Sequence, residues 1–295
     1  MIICRTKEQL KQAILDVKKS GKQIGFVPTM GFLHDGHASL LRKAREENDC
    51  VVLSIFVNPM QFGPNEDLDK YPRDEARDLA LADQCKVDIV FLPTPEVMYP
   101  DKPYTKVIVN DITTRLCGAA RPGHFDGVGL VISKLFNLIQ PDFAYFGMKD
   151  AQQVAVIQQM VDDLDYPVHI VPCPIIREPD GLALSSRNVY LSATERGQAT
   201  VLHHSLAQLE KKINDENLTV GQLKQLVINT IKEQALADID YVEFVSYPTL
   251  MPINENSSFQ EYIGQKILVA LAVKFSSTRL IDNALFEINE VISRV

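Results

Sequence analysis

Short apolar runs alternate with helix-like amphipathic stretches through the first part of the chain. The strand-like runs are QIGFVPT (23–29), CVVLSIFV (50–57), VDIVFLP (87–93), DFAYFG (142–147) and VHIVP (168–172). The helix-like stretches are HASLLRKAREEN (37–48), a segment near 74–84, GVGLVISKLFNLI (127–139) and AQQVAVIQQMVDDL (151–164). Strands that are apolar on both faces and separated by helices indicate βαβ units in a covered parallel sheet. The pattern therefore predicts a doubly wound α/β domain over residues 1–176.

The pattern changes after about residue 176. Two long helical stretches, near 194–213 and 219–236, are followed by strand-like runs at YVEFVSY (241–247) and KILVALAV (266–273). Helices followed by neighbouring strands predict a second, smaller α+β domain over residues 177–295. The proline-containing segment VPCPIIREPDGLALSSRN (171–188) is the predicted connection.

Composition and charge narrow the class of protein. The 295 residues carry a formal net charge of −8, which disfavours nucleic acid as a partner because nucleic-acid binders usually have a basic surplus. The five cysteines are scattered without a Cys-x-x-Cys pair, so we expect buried thiols in a reducing compartment. The opening MIICRTKEQLKQ contains no long apolar run, and ILVALAV (267–273) is too short to span a bilayer. We therefore expect a cytoplasmic protein with no membrane partner.

The segment PTMGFLHDGH (28–37) is the strongest chemical signal, because it follows a predicted strand and opens a predicted helix. Its H-x-G-H sequence places His34 and His37 at or just before a helix N-terminus, where unpaired backbone N–H groups and a positive dipole favour phosphate. Imidazole donors there could stabilise charge that develops on a phosphate. Gly31 and Gly36 would allow the backbone to approach a nucleotide closely. The alternative is a chance pair of helix-capping histidines.

Further polar groups follow other predicted strands. FVNPMQF (56–62) offers the amides of Asn58 and Gln61, although an Asn-Pro pair is most often a turn. FGMKD (146–150) offers Lys149 for phosphate oxygens and Asp150, which could equally cap a helix or bind a magnesium-associated water. GLALSSRN (181–188) places hydroxyls beside a guanidinium, as in a pyrophosphate clamp. Because strand carboxyl ends bind ligands in open α/β sheets, these motifs predict one binding edge.

The segment TRLCGAARPGHFDGV (114–128) is ambiguous. Arg115, Arg121 and His124 could face an anion. The alternative, which we favour for the segment taken by itself, is a surface loop in which Asp126 caps the following helix. The chain has no G-x-x-x-x-G-K-[ST] motif, and GVGLVI (127–132) lacks the third glycine of G-x-G-x-x-G. A P-loop enzyme and a dehydrogenase-type dinucleotide fold are therefore unsupported.

Taken together, PTMGFLHDGH, FVNPMQF, RPGHFDGV, FGMKD, SSRN and STRLIDN (277–283) resemble the pantothenate synthetase family, within the wider H-x-G-H nucleotidyltransferase superfamily. The resemblance extends to about residue 284. It implies a homodimer in which each subunit has a Rossmann-like domain (1–176) that binds ATP and pantoate, and a C-terminal lid (177–295). It also implies ATP-driven condensation of pantoate with β-alanine, with magnesium, through a pantoyl-adenylate that releases AMP and pyrophosphate.

Carried over position by position, the resemblance predicts a set of site residues. It implies ATP contacts at Met30, Gly31, Phe32, Leu33, His34, Asp35, Gly36, His37, Gly147, Met148, Lys149, Asp150, Ile176, Leu184, Ser185, Ser186 and Arg187. Substrate contacts are predicted at Gln61, Gln153 and Asn58, and catalytic roles at His37, His34, Lys149 and Arg187. His37 matches the residue that the family treats as the catalytic acid. Met148 departs from the family, which often has a polar residue there, and the tail 285–295 matches no motif.

Two other functions remain as alternatives. A nucleotidyltransferase could release a dinucleotide product, but Gln61 and Gln153 without an aromatic-rich second pocket argue against it. A non-catalytic nucleotide-binding protein would not need both histidines, Lys149 and the Ser-Ser-Arg run together. Analysis of the products formed from ATP and pantoate separates the three.

Overall fold

The structure is a computed structural model that describes residues 1–64, 66–213, 215 and 217–287. The chain divides into two compact units. The first contains residues 1–114, 118–148 and 156–176, and the second contains 115–117, 149–155 and the chain from 177 onwards. Residues 288–295 of the predicted second domain, and with them most of the tail 285–295, lie outside the described residues.

The elements up to residue 176 alternate between strands and helices. The strands are β1 (Ile2–Cys4), β2 (Ile24–Thr29), β3 (Cys50–Ile55), β4 (Ile89–Phe91), β5 (Phe143–Gly147) and β6 (His169–Cys173). The helices are α1 (Lys7–Lys19), α2 (Asp35–Glu47), α3 (Glu75–Gln84), α4 (Pro95–Met98), α5 (Cys117–Ala120), α6 (His124–Ile139) and α7 (Ala151–Asp163). Short 3₁₀ helices cover Pro59–Gln61 and Met148–Asp150.

The six strands form one parallel sheet in the order β1-β4-β3-β2-β5-β6. The predicted Rossmann-like α/β class is confirmed, and each predicted strand and helix of this part is present within a few residues. The sequence prediction did not include β1 and α1. Helix α1 begins at a capping box in which Thr6 and Gln9 satisfy each other's backbone N–H groups, and it buries Leu10 and Ile14.

Both faces of the sheet are buried, which explains the continuous apolar runs. On one face, Phe26 of β2 makes an edge-to-face contact with Phe136 of α6, with ring centroids 6.4 Å apart. The next residue, Val27, lies in a cluster with Leu41 of α2 and Val51 of β3. Neighbouring residues of one strand therefore pack against helices on opposite faces of the sheet. A substitution that introduces a polar side chain at either position would bury it without a partner.

The strand order reverses at β2, which has β3 on one side and β5 on the other. In open α/β sheets the crevice outside the carboxyl ends of the strands at such a switch point is the usual ligand site. The carboxyl end of β2 leads into Met30 and the H-x-G-H turn, and β5 ends at Gly147. The fold of the first unit therefore places two of the predicted motifs at this edge.

The second unit is built on an antiparallel sheet with strand order β7-β8-β9. Its strands are β7 (Ala237–Tyr247), β8 (Lys266–Phe275) and β9 (Thr278–Glu287), and its helices are α8 (Ala193–Ala199), α9 (Val201–Glu210) and α10 (Val220–Lys232). Two 3₁₀ helices cover Ser186–Tyr190 and Phe259–Tyr262. Leu206 of α9, Val227 of α10 and Leu271 of β8 belong to one buried cluster. The predicted smaller α+β fold is confirmed.

Two details of the second unit differ from the sequence prediction. The stretch near 194–213 is two helices separated at Thr200, whose hydroxyl donates a hydrogen bond to the Gly197 carbonyl. Such local bonds compete with regular helix geometry, so the interruption could not be read from apolar spacing. Strand β9 was also missed, because its apolar residues are interrupted by Arg279, Asp282 and Asn283. Among the described residues, no helix is long and apolar enough to cross a membrane.

Candidate active site

The turn between β2 and α2 is shaped by its glycine and histidine residues. Gly31 and Phe32 have φ angles of 85° and 50°, so the chain passes through the left-handed region before the helix begins. His34 is the N-cap of α2, and its Nδ1 accepts a hydrogen bond from the Gly36 N–H at 3.1 Å. The His34 N–H in turn donates to Nδ1 of His37 at 3.3 Å. The two histidines are therefore reciprocal helix caps as well as candidate ligands.

These contacts fix the tautomers of both imidazoles. A nitrogen that accepts a hydrogen bond carries no proton, so each neutral ring holds its proton on Nε2. The ring centroids are 4.0 Å apart. The turn thus presents two neutral Nε2–H donors at a helix N-terminus, where the backbone already favours an anion.

Asp78 of α3 holds this turn in place, a role that the sequence pattern did not predict. Its carboxylate accepts hydrogen bonds from the Phe32 N–H at 2.8 Å and from the Leu33 N–H at 2.6 Å, and it is only 2 % exposed. Burial raises the pKa of Asp78 above its usual value, although the two N–H donors favour the ionised form. Leu33 is fully buried in the cluster that contains Val27 and Leu41, where it supports the turn. The ATP contact predicted for Leu33 stays a prediction.

Gln61 follows β3 in a short 3₁₀ helix, and Asn58 orients its side chain. Asn58 is 1 % exposed, and its amide donates to Gln61 Oε1 at 3.1 Å and to the Gly127 carbonyl at 3.0 Å. Its Oδ1 accepts from the Met60 N–H and the Tyr99 hydroxyl. Both donors and both acceptor positions of the Asn58 amide are therefore occupied by protein. Asn58 therefore orients the Gln61 side chain, and its predicted contact with substrate stays a prediction.

The amide of Gln61 also reaches the residue that follows β2. Gln61 Nε2 lies 3.2 Å from Sδ of Met30, and the Gln61 side chain is largely buried. The structure thus brings Met30, Gln61 and Asn58 together at the carboxyl ends of two adjacent strands. An amide held at one end by Asn58 has a defined orientation, which suits recognition of hydroxyl and carboxylate groups.

The backbone of Gln61 is held from the N-terminus of α6. His124 Nδ1 lies 2.8 Å from the Gln61 carbonyl, and Arg121 forms an ion pair with Glu66 at 2.6 Å. Burial opposes ionisation of Glu66, but the hydrogen bonds and charge of Arg121 outweigh it and hold the pKa of that carboxyl below its usual value. Arg121 and His124 therefore make contacts within the protein, and the anion site that was one interpretation of their segment stays untested.

The same segment contains a wrong prediction about its helix cap. Helix α6 begins at His124, and its N-cap is Gly123 with a φ of 80°, so Asp126 lies inside the first turn. Arg115 of the same segment donates to the Leu250 carbonyl at 3.2 Å within the second unit. Glycine is also a common N-cap residue, although it has no side chain to cap the helix. The prediction chose Asp126 because aspartate caps helices through its side chain, and it therefore placed the helix start too late.

The second unit carries the remaining predicted groups. Lys149 and Asp150 precede α7, and the Lys149 ammonium lies 3.6 Å from the Asp150 carboxylate. Gln153 is partly buried in the first turn of that helix. Ser185 is the N-cap of the 3₁₀ helix that begins at Ser186, and its hydroxyl accepts a hydrogen bond from the Arg187 N–H at 3.3 Å. These segments combine cations, hydroxyls and N–H groups, the donors that phosphate oxygens prefer.

The predicted residues therefore fall into two groups. The first unit contains Met30, Gly31, Phe32, Leu33, His34, Asp35, Gly36, His37, Asn58, Gln61, Gly147, Met148 and Ile176. The second contains Lys149, Asp150, Gln153, Leu184, Ser185, Ser186 and Arg187. Asp78, Tyr99 and Glu66 were missed, since a buried acid or phenol within an amphipathic or loop segment has no sequence signature.

An open α/β sheet with polar groups at its switch point defines a nucleotide- or metabolite-binding class of protein. The model of the family described as Pantoate-beta-alanine ligase matches residues 2–285. A pantothenate synthetase of Caldicellulosiruptor saccharolyticus is 52% identical over 288 residues, covering 98% of this chain and 100% of that protein. A pantothenate synthetase of Acetivibrio thermocellus is also 52% identical, with the same coverage.

Solved structures agree with these sequence matches. The pantothenate synthetase of Thermus thermophilus has a TM-score of 0.88 and 42% identity, covering 96% of this chain and 99% of that one. The pantoate–β-alanine ligase of Francisella tularensis, solved with β-γ ATP and β-alanine, has a TM-score of 0.78 and 35% identity, covering 97% of each chain. The chain belongs to the pantoate–β-alanine ligase family, and it is an enzyme of pantothenate biosynthesis.

Proposed function

We propose that the enzyme condenses (R)-pantoate with β-alanine through an enzyme-bound pantoyl-adenylate, and that ATP is cleaved to AMP and pyrophosphate. The observation that carries this proposal is that His34 and His37 lie at the N-terminus of α2 with each Nδ1 accepting a backbone N–H, which assigns the ring proton to Nε2. Such Nε2–H donors suit the charge that develops on the α-phosphate. The Francisella tularensis relative, which was solved with β-γ ATP and β-alanine, supports ATP as the co-substrate.

The first step is attack of a pantoate carboxylate oxygen on the α-phosphorus of ATP. A new C–O–P linkage forms, the bond from the α-phosphorus to the bridging oxygen breaks, and pyrophosphate leaves with the electron pair. We assign charge stabilisation at the α-phosphate to His34 and His37, and binding of the departing β- and γ-phosphates to Lys149, Ser185, Ser186 and Arg187. The contribution of these residues is positioning and preorganised electrostatics.

In the second step the free amine of β-alanine attacks the acyl carbon of the adenylate. The C–N bond forms, AMP departs with the oxygen that came from the pantoate carboxylate, and the amine loses a proton. In our proposal Gln61 and Gln153 hold pantoate, and Asn58 sets the orientation of the Gln61 amide. The remaining ATP contacts are proposed along Met30–His37, Gly147–Asp150, Ile176 and Leu184.

Water must be kept from the adenylate between the two steps, because acyl-adenylates hydrolyse. We propose that residues 1–176 bind ATP and pantoate, and that residues 177–295 act as the lid that excludes water. We also propose, from the family resemblance, a cytoplasmic homodimer with only small molecules as other partners.

Magnesium is proposed to accompany ATP. The described residues contain no group of three or more His, Cys, Asp or Glu side chains arranged to hold a metal ion. Mg²⁺ at nucleotide sites commonly uses one or two carboxylates together with phosphate oxygens and water. A lone carboxylate beside a phosphate-binding lysine fits that chemistry, so Asp150 is the residue that would hold the ion. The ion would neutralise phosphate charge, while the protein donors orient the reacting groups.

Oxygen labelling tests which phosphorus is attacked. With oxygen-18 in the pantoate carboxylate, we expect the label in the phosphate of AMP, because that oxygen becomes the bridge of the adenylate. Without β-alanine, we expect exchange of labelled pyrophosphate into ATP that depends on pantoate. Mass spectrometry of AMP and a radioisotope exchange assay measure the two results.

Each alternative function gives a different outcome in the same assay. A kinase-like ligase would produce ADP and place the label in inorganic phosphate. A transferase that joins nucleotides would yield a dinucleotide, and a non-catalytic binder would release no pyrophosphate. Any of these results contradicts the proposed reaction, even if the chain binds ATP.

Gln61→Ala tests the proposed pantoate contact. We expect kcat/KM for pantoate to fall at least 100-fold, since a site built to hydrogen-bond a hydroxyl discriminates strongly through such groups. ATP affinity measured by calorimetry should change less than about twofold. Gln159→Ala, in which an exposed glutamine bonded to Asp163 is removed, is the control and should match the wild type. Equal losses of ATP and pantoate affinity in Gln61→Ala would show a general structural defect instead.

A further inference from the structure

Strand β9 carries two consecutive buried polar residues, Asp282 and Asn283, to which neither the fold nor the proposed reaction assigns a role. Asp282 is 2 % exposed and Asn283 is 6 % exposed. They pair with Leu271 and Ala270 of β8, so they lie in the interior of the ladder rather than at a frayed end. Consecutive strand residues direct their side chains to opposite faces of a sheet, so the pair can act on two different segments at once.

Asp282 holds the segment that leads to the Ser-Ser-Arg run. Its two carboxylate oxygens accept hydrogen bonds from Arg177 at 2.7 and 2.9 Å, in the bidentate geometry that fixes a guanidinium most firmly. Arg177 also donates to the Gly181 carbonyl at 3.1 Å and forms a β-bridge with Ala183. The carboxylate therefore clamps the short hairpin from which residues 184–187 continue.

The hairpin is tied internally as well, which makes it a rigid connection. The Glu178 N–H donates to the Leu182 carbonyl at 2.8 Å, closing the hairpin across its turn. Asn188 donates to the Ala183 carbonyl at 3.1 Å and to the Glu178 carboxylate at 3.0 Å. If Arg177 moved, Ser185–Arg187 would therefore move with it, because these bonds make the hairpin between them rigid.

Asn283 holds the other proposed phosphate-binding segment. Its Nδ2 donates to the backbone carbonyl of Lys149 at 2.9 Å. Its own backbone N–H donates to Asp282 Oδ1 at 2.8 Å, so the Asp282 carboxylate is held by the Asn283 backbone as well as by Arg177. The segment is also held by Gln152, which accepts from the Cys117 N–H and donates to the Arg115 carbonyl. Asn283 is thus one of the side chains that fix where the Lys149 backbone lies.

We propose that Asp282 and Asn283 are positioning residues that place Lys149 and Ser185–Arg187 for binding the ATP phosphates. All of these contacts lie within the second unit. The inference rests on the proposed function, which assigns the phosphates to those two segments. Its physical basis is that two side chains adjacent on one strand each hold one of the two segments, and that the Asn283 backbone N–H also bonds to the Asp282 carboxylate. Fixing both from one rigid element preorganises them for a single polyphosphate.

The test compares Asn283→Ala and Asp282→Asn with a variant that only weakens the same strand. Leu280→Ala removes a buried core side chain of β9 without touching Arg177 or Lys149, so it serves as the control for stability. For each enzyme we measure kcat/KM for ATP at saturating pantoate, pantoate affinity without ATP, and the midpoint of thermal unfolding. Lys149→Ala and Ser186→Ala are measured alongside.

We expect Asn283→Ala and Asp282→Asn to lower kcat/KM for ATP by about 10- to 100-fold, the range expected when a binding group is displaced by up to about 1 Å. Pantoate affinity should stay within about twofold of the wild type, and Leu280→Ala should keep its ATP kinetics at a temperature where it is folded. An equal loss for ATP in Leu280→Ala, or a matching loss of pantoate affinity in the two variants, overturns the positioning role.

The reference variants separate this inference from the function on which it rests. If Lys149→Ala and Ser186→Ala lose ATP kinetics while Asn283→Ala and Asp282→Asn do not, the phosphate assignment stands and the positioning role is refuted. If Lys149→Ala and Ser186→Ala keep wild-type ATP kinetics, the phosphate assignment itself is wrong, and the positioning role is refuted with it.

Discussion

His37→Ala is expected to slow formation of the adenylate by about 10²- to 10³-fold, the usual cost of removing one donor to a developing oxyanion. The substitution removes the proposed Nε2–H donor to the α-phosphate. It also removes the Nδ1 acceptor of the His34 N–H, so the helix start loses one of its two reciprocal caps. Pantoate-dependent pyrophosphate release, followed in a single turnover, measures the step directly.

The two roles of His37 can be separated with a second substitution. His37→Gln places a neutral amide donor near the position of the lost Nε2–H, but it does not reproduce the Nδ1 acceptor. If the donor is what matters, His37→Gln should recover a measurable part of the rate that His37→Ala loses. His204→Ala, at an exposed histidine of α9 whose Nε2 lies 2.7 Å from the Gln208 amide nitrogen, is the matched control.

ATP affinity distinguishes transition-state stabilisation from simple binding. We expect it to fall much less than the rate in His37→Ala, because the donor acts mainly on charge that appears during the reaction. Near-normal pyrophosphate release in that variant would remove His37 from the proposed mechanism. A parallel loss of ATP affinity and rate would instead assign it to ground-state binding.

Sequence patterns predicted β2 to β6 of the parallel sheet, because its central strands are buried on both faces and form unbroken apolar runs. They missed the short edge strand β1, whose Ile2 and Ile3 are exposed. The same reasoning missed β9, in which Asp282 and Asn283 interrupt the apolar pattern since they serve as internal hydrogen-bonding groups. It also merged α8 and α9, whose boundary depends on one hydroxyl contact at Thr200. The spacing of apolar residues predicts which positions are buried. It cannot identify a polar side chain that is buried because neighbouring groups hydrogen-bond to it.

The chemical groups of the candidate site were predicted more completely than the residues that support them. H-x-G-H at a strand-to-helix turn can be recognised in the sequence on physical grounds, since hydrogen-bond donors at a helix start bind phosphate well. The supporting role of Asp78 cannot be recognised in the sequence, because its carboxylate accepts hydrogen bonds from backbone N–H groups 45 and 46 positions away along the chain. Asn58 was found from the sequence, but its role in orienting Gln61 was not, because only the structure shows that its amide is fully occupied by protein.

Gly127 is a second residue whose importance only the packing reveals. It lies in α6, where alanine would ordinarily stabilise a helix by about 1 kcal/mol over glycine. A Cβ at this position would lie 2.2 Å from the Met60 carbonyl oxygen and 2.6 Å from Gln61 Cα. Both atoms belong to backbone, so the overlap cannot be relieved by rotating a side chain. The helix and the 3₁₀ turn that carries Gln61 would have to separate.

Gly127→Ala should therefore destabilise the protein by about 1–3 kcal/mol or more, the range for overpacked sites, despite its favourable helix propensity. It should also lower kcat/KM for pantoate about 100-fold, because a shift near 1 Å at Gln61 is enough to cost that much. The Gly127 carbonyl accepts from Asn58, so the displacement reaches the residue that orients the Gln61 amide as well. Denaturant unfolding and steady-state kinetics on the folded fraction measure the two effects.

The control for Gly127→Ala is Gly197→Ala in α8, where a Cβ would meet no atom within 4 Å. That substitution should leave activity unchanged and raise the free energy of unfolding by roughly 0.5–1 kcal/mol, since alanine loses less backbone entropy than glycine. Opposite signs for the same chemical change would show that the contact with Met60 and Gln61, and not the helix, requires glycine at position 127. Wild-type stability and pantoate kinetics in Gly127→Ala would instead show that the turn around Gln61 tolerates displacement, and the tight positioning of its amide would no longer hold.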